Sequence, residues 1–222
     1  LNKGARRPKD VPATNLKRVG VIGAGFMGAG VAYVTAQAGL DVVLVDQSVE
    51  AAEKGKAYAH TLITGQINKG RAKTADRDAL LGRITPTADY AALADCDLVI
   101  EAVFEDPTVK AEVIQKVEAV IGPDTIFASN TSTLPITGLA KNSQRPDRFV
   151  GIHFFSPVEK MMLVEIIKGE ATGDAALATA LDYVRLIKKT PIVVNDARGF
   201  FANRCVGAYI LEGHKMLAEG VP

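Results

Sequence analysis

Three observations predict an α/β protein built on a doubly wound, mostly parallel sheet. Apolar runs that read as strands alternate with helical patterns from residue 18 to residue 130, as parallel strands joined by helical crossovers require. The central runs are almost unbroken in Val, Ile and Leu, as expected of strands covered on both faces. The turn from the first run into the first helical pattern carries glycines in the spacing G-x-G-x-x-G.

That turn, VGVIGAGFMGAG over residues 19 to 30, is the most informative stretch. Val19, Val21 and Ile22 form the end of a strand, and Gly23 permits the tight turn into a helix. Gly25 lets the backbone approach a pyrophosphate, and Gly28 allows close helix packing. The helix N-terminus adds free N–H groups and a positive dipole end. After the helix, over about residues 26 to 38, and a turn at Gly39, the strand DVVLVD ends in Asp46, about twenty residues beyond the glycines. A carboxylate there accepts hydrogen bonds from both ribose hydroxyls and repels a 2′-phosphate, which favours NAD over NADP. The glycines together with Asp46 therefore predict a Rossmann-type dinucleotide site, the alternative being a capping Asp beside structural glycines.

Residues 49 to 70 read as a helix, with Lys54, Lys56, Lys69, Arg71 and Lys73 in and after it. These cations form either a solvated face or a contact for a phosphorylated handle. ITPTAD (84 to 89) reads as a short strand, and DLVIEAV (97 to 103) as a buried one ending near Val103, Phe104 and Glu105. Pro107 opens a helix whose first turn holds Lys110, a cation at the disfavoured end of the dipole. Its partner is expected to be Glu105 or an anionic ligand; otherwise the two form an exposed surface pair. TIFASN (125 to 130) is another strand, followed by Thr131, Ser132 and Thr133. Gly25, Asp46, Glu105 and Ser132 thus fall at the carboxyl ends of strands, where such sheets bind ligands.

FVGIHFF, SPVEKMM and LVEIIKG read as strand, loop and strand, from residue 149 onward. Pairing them as a hairpin places His153 within about one residue of being opposite Glu165. A carboxylate beside an imidazole fixes its tautomer and stabilises its protonated form, as a general base requires. The plainer alternative is a satisfied structural histidine. A helix at about 174 to 188 and the strand TPIVVND (190 to 196) complete the sheet. Beyond Gly199, FFANRCVGAYILEGHKMLAEG reads as one long helix carrying Asn203 in its first turns. That helix cannot bury its own apolar side alone.

A formal net charge of +1 among 222 residues gives no reason to expect nucleic acid or an anionic membrane as a partner. No apolar run is long enough to insert in a membrane. Cys96 and Cys205 have no metal-ligand spacing around them, which predicts no metal site and a reducing compartment. The cytoplasm of a bacterium, with the mitochondrial matrix as alternative, is the expected location. Residues 1 to 15 are polar, with two prolines, and read as a linker from an upstream region. The expected organisation is this linker, a Rossmann-type NAD-binding domain over 16 to 196, and the first helix of a truncated C-terminal all-helical domain over 197 to 222.

The motifs VIGAGFMGAG, Asp46, EAVFEDPTVK, ASNTSTLPI, GIHFFSPVEKMMLVEII and TPIVVNDARGFFANR, in this order, resemble those of the L-3-hydroxyacyl-CoA dehydrogenases over residues 18 to about 220. The linker resembles the joint preceding this domain in multifunctional fatty-acid β-oxidation enzymes. The resemblance implies oxidation of the C3 hydroxyl of an acyl-CoA with hydride delivered to NAD+. It implies His153 as general base, Glu165 as its orienting carboxylate, and Ser132 and Asn203 as polar contacts near the substrate oxygen. Glu105 and Lys110 match positions touching the nicotinamide-side ribose and phosphates, and Met27, Val103, Ser132 and Ser156 are counted with Gly23, Gly25, Gly28 and Asp46 as cofactor-binding. Ser156 stands where many members carry Asn. The implied partners are an acyl-CoA and either a second copy of the chain or a thiolase in a β-oxidation complex. Two alternatives stay open: a module that binds NAD without turnover in this form, and another 3-hydroxyacid dehydrogenase, which would be expected to use a catalytic Lys.

Overall fold

The computed structural model describes residues 6–221. Eight strands form one sheet in the order β3-β2-β1-β4-β5-β6-β7-β8. In chain order these are β1 (Arg18–Ile22), β2 (Asp41–Val45), β3 (Ile84–Thr87), β4 (Leu98–Glu101), β5 (Ile126–Ser129), β6 (Phe149–Phe154), β7 (Leu163–Lys168) and β8 (Thr190–Asn195). Every pairing is parallel except β6 with β7, which the short 155–162 connection forces to be antiparallel. The doubly wound expectation holds.

Winding reverses at β1, which pairs with β2 on one side and β4 on the other. This switch point opens a crevice beyond the carboxyl ends of the strands. Side chains alternate between the two faces, so each strand feeds two cores. Val21, Leu44, Ile100, Ile152 and Ile166 meet α1 (Phe26–Gln37), α2 (Val49–Asn68), α3 (Thr74–Gly82) and α6 (Asp174–Leu186). Val45, Val99, Phe127 and Phe149 meet α4 (Pro107–Glu118) and the short α5 (Ile136–Ala140) on the other face.

Two glycines of the first turn have no substitute. Gly23 has φ +90°, and a Cβ there would lie 2.6 Å from the Ala102 carbonyl oxygen. A Cβ on Gly28 would lie 1.7 Å from the Gly23 carbonyl oxygen, so α1 begins against the backbone of its own loop. The connection between β6 and β7 is equally confined. Val158 is buried against Gly30 of α1, and the buried Lys189 ammonium donates to the carbonyl oxygens of Val158 and Met161.

Residues 6–15, the described part of the expected linker, contain no helix or strand but are fastened to α6. Arg7 donates to both Asp182 oxygens at 2.8 and 2.9 Å and to the carbonyls of Val11 and Pro12, while Thr14 donates to Asp182 from its amide and hydroxyl. Residues 1–5 and 222 of the expected organisation lie outside the described residues.

The last helix, α7, runs from Ala202 to Ala218, starting two residues later than its apolar pattern suggests. Gly199 and Phe200 both have positive φ, 72° and 50°, and Phe200 is buried in the second core, so the chain turns sharply before the helix can begin. Beyond Ala202, α7 leaves Tyr209, Leu211 and Leu217 at 62–82% exposure. Cys96 is buried and its thiol is pushed up to about 12 by burial, and both cysteines are free. No described helix is long and apolar enough to cross a membrane.

Gly28→Ala should lower stability by about 2 kcal/mol or more, because the methyl meets backbone rather than a movable side chain. Denaturant titration checks this, with unchanged stability as the contrary outcome.

Candidate active site

The carboxyl ends of β1, β2 and β4 enclose a cleft of about 880 Å³ lined by Gly23, Gly25, Met27, Asp46, Val103 and neighbouring side chains. A Cβ on Gly25 would meet nothing within 4 Å, so the backbone is open on that side. Asp46 accepts the Ala24 amide at 2.6 Å and the Gln47 amide at 2.7 Å. It therefore holds the glycine turn as well as facing the cleft. A carboxylate has roughly four acceptor positions, so two remain for ribose hydroxyls. An open glycine turn at a helix N-terminus, closed by a carboxylate at the end of β2, fits a dinucleotide with an unphosphorylated ribose.

Beside this cleft, β4 ends in a carboxylate that the sequence reading passed over. Glu101 is fully buried and accepts both short contacts of the Lys110 ammonium, at 2.8 and 2.9 Å, together with the Ser129 hydroxyl and the Val103 amide. The structure keeps Glu105 as a partner of Lys110, adds Glu101 and removes the surface-pair alternative. Lys110 is 1% exposed, so it forms no surface pair, and its ammonium is committed to Glu101 while also reaching Glu105 at 3.4 Å. The missed signal was a lone acid ending the apolar run LVIE, which needs a buried cation to be tolerated.

Glu105 in turn shapes the loop after β5. One of its oxygens accepts the Thr131 hydroxyl at 2.6 Å and the amides of Ser132 and Thr133 at 2.8 and 3.0 Å. Burial pushes the Glu105 carboxyl up, but the Thr131 hydrogen bond, the Lys110 charge and the two amides outweigh it and hold it below the usual range. The Thr131 amide donates to Ser129. Glu101, Ser129, Thr131, Glu105 and Lys110 thus form a closed ring that presents Ser132 with its side chain exposed.

The hairpin supplies the second cluster. His153 and Glu165 are direct register partners, sharper than the one-residue tolerance of the sequence reading. The His153 Nδ1 lies 2.7 Å from a Glu165 oxygen, and both side chains are buried. The imidazole is flanked by Phe155 and Phe200, with ring centroids 4.6 and 5.9 Å away. The other Glu165 oxygen accepts the amides of Phe201 and Ala202, at 2.9 and 2.8 Å, at the start of α7. Burial raises the Glu165 carboxyl, and the His153 hydrogen bond with the two amides more than reverses this, leaving it below its usual range. An ionised Glu165 can only accept, so Nδ1 carries the proton and Nε2 is the basic nitrogen.

Asn203, in the first turn of α7, donates to the Ser132 carbonyl at 2.9 Å, and Asn130 accepts the Phe154 amide at 2.9 Å. The loop after β5, the hairpin and α7 are therefore tied together at one end of the sheet. Ser156 is exposed on the loop just past β6. Neither Asn130 nor the α7 amides stood out in the sequence, because their roles depend on which strand ends become neighbours. No cluster of metal-ligating side chains occurs among the described residues.

The family model of the 3-hydroxyacyl-CoA dehydrogenase NAD-binding domain matches residues 18–197. Among solved structures, (S)-3-hydroxybutyryl-CoA dehydrogenase of Ralstonia eutropha is 38% identical with a TM-score of 0.90, over 94% of this chain and 74% of that one. The 3-hydroxybutyryl-CoA dehydrogenase of Escherichia coli K12 is 34% identical with a TM-score of 0.91, over 94% and 44%. The dehydrogenase part of multifunctional enzyme 1 from C. elegans is 30% identical with a TM-score of 0.78, over 93% and 47%.

Since the native Glu165 carboxyl is held below its unfolded value, the stability it contributes is full above about pH 5 and declines as pH falls through its native value. The stability difference between wild type and Glu165→Gln should therefore shrink as pH falls below about 5, as followed by denaturant titration. A difference that keeps growing below about pH 5 would contradict this.

Proposed function

Because the chain belongs to the 3-hydroxyacyl-CoA dehydrogenase family through its NAD-binding domain, we propose that it oxidises the C3 hydroxyl of an L-3-hydroxyacyl-CoA to a ketone. The observation that carries this reading is the buried His153–Glu165 pair at 2.7 Å, directly beside the loop that presents Ser132. NAD+, held by the glycine turn and Asp46, supplies the hydride acceptor.

The chain's own groups then have distinct tasks. Nε2 of His153 takes the hydroxyl proton while Nδ1–H keeps donating to the Glu165 carboxylate. Glu165 is kept ionised by the amides of Phe201 and Ala202, so the imidazolium forms beside a fixed negative charge. Burial of both side chains excludes water that would weaken this attraction. Ser132 and Asn203 donate hydrogen bonds toward the substrate oxygen, and their mutual contact sets the spacing between the two donors. Lys110 and Lys189, the buried lysines among the described residues, are both committed to structural partners, which gives a lysine-based mechanism no support.

A role in fatty-acid β-oxidation, in the cytoplasm, belongs to the same proposal, as do association with a second copy or a thiolase and the reading of residues 1–15 as a joint; the likeness to the dehydrogenase part of a multifunctional enzyme supports only the reading of the chain as one part of such a protein. A second reading is binding of NAD without turnover in this chain. It is favoured by the exposed apolar side of α7, which would pack against the rest of a helical second domain. Oxidation of NADH by acetoacetyl-CoA, added to the chain as given, separates the two.

In a chain that turns over, His153→Ala should lower kcat by about 10²- to 10⁴-fold with little change in NAD affinity; turnover near wild type would remove His153 from the mechanism. Asp46→Ala should weaken NAD by about tenfold or more, with discrimination against NADP reduced. Titration with both cofactors decides, and an unchanged preference would count against the ribose contact.

A further inference from the structure

Oxidised and reduced nicotinamide cofactors differ in one electrostatic respect: the ring carries a positive charge when oxidised and none when reduced. Adenosine and pyrophosphate are common to both, so contacts made with them cancel from the ratio of the two affinities. Charges near the ring act directly on that ratio.

The ring's end of the site can be placed from the fold. Asp46 ends β2 and the glycine turn ends β1, so a dinucleotide lying across the switch point has its nicotinamide end over β4 and β5. There the structure holds Glu101, Lys110 and Glu105, two carboxylates on one ammonium. Glu101 takes the ammonium at both oxygens, and Glu105 stands 37% exposed at the outer edge with its second oxygen drawing the Thr131 hydroxyl and loop amides. The cluster carries one uncompensated negative charge. Of its other charged neighbours, Glu112 and Lys116 are an exposed pair of opposite sign at 4.0 Å, and the Asp106 and Glu165 carboxylates are common to every variant compared below, so they cancel from the comparison.

We propose that the net negative charge of the Glu101–Lys110–Glu105 cluster sets the preference of the site between oxidised and reduced cofactor, favouring NAD+. The ring loops of hydrogen bonds described above also give the cluster a structural role, but a purely structural role changes both affinities together. The charge role changes their ratio. This inference rests on the proposed placement of the site.

The test is titration of the chain with NAD+ and with NADH, for wild type, Glu105→Gln, Glu101→Gln and, as a control at the adenosine end, Asp46→Asn. Each Glu→Gln change leaves the cluster neutral, so the ratio Kd(NAD+)/Kd(NADH) should rise about tenfold in both, mainly through NAD+. Asp46→Asn should weaken both cofactors and leave the ratio as it was. Equal weakening of both cofactors in the Glu variants would overturn the inference while leaving the site placement intact. No change of either affinity in the Glu variants, with both weakened by Asp46→Asn, would overturn the placement and the inference with it. Should Glu101→Gln fail to fold by circular dichroism, the half-exposed Glu105→Gln decides alone.

Discussion

The Glu165 carboxylate is the group on which the rest of the site depends. It lies fully buried on β7, paired on both sides, where an unpartnered charge would not be tolerated. Its two oxygens divide the solution between them: one takes the His153 ring, the other the first amides of α7. The helix N-terminus is thereby capped by the same charge that orients the imidazole. Base, sheet and helix cannot be repositioned independently. The positive φ of Gly199 and Phe200 is the local consequence, since the chain must bend sharply from β8 to deliver those amides.

A second buried acid, Glu101, organises the neighbouring strand ends in a different way. Its Lys110 partner sits in the first turn of α4, a place where the helix dipole disfavours a cation, and two carboxylates offset that cost. Glu105 then converts the pair into loop geometry by gathering Thr131, Ser132 and Thr133 around one oxygen. The two clusters meet where Asn203 reaches the Ser132 carbonyl. On the proposed placement, the carboxylate beside His153 favours the imidazolium that forms there, and the net charge of the other cluster favours binding of the oxidised cofactor.

Much of this was legible in the sequence, and the exceptions have physical causes. The glycine turn and Asp46 are local signals, and the left-handed backbone at Gly23 and the backbone packed against Gly28 leave no other residue type. The His153–Glu165 pairing was legible because a short connection fixes the register of a hairpin. By contrast, the Glu101 partner of Lys110 was not legible, because periodicity cannot tell whether a helix's first turn lies over an acid at the end of another element. Arg7 and Asp182, 175 positions apart, give no pattern that would pair them. The start of α7 was misplaced because Phe200 continues the apolar pattern while its backbone leaves the helical region. Local periodicity locates elements; it does not report where their ends converge.

The central claim is that Glu165 holds the His153 imidazole in the tautomer with its proton on Nδ1, leaving Nε2 to act as base. Nitrogen-15 chemical shifts of the His153 ring at neutral to mildly alkaline pH test it directly, with Glu165→Gln as reference. The account predicts a protonated Nδ1 and an unprotonated Nε2 in the wild-type protein. A proton on Nε2, or rapid averaging between the two nitrogens with Glu165 intact, would contradict it.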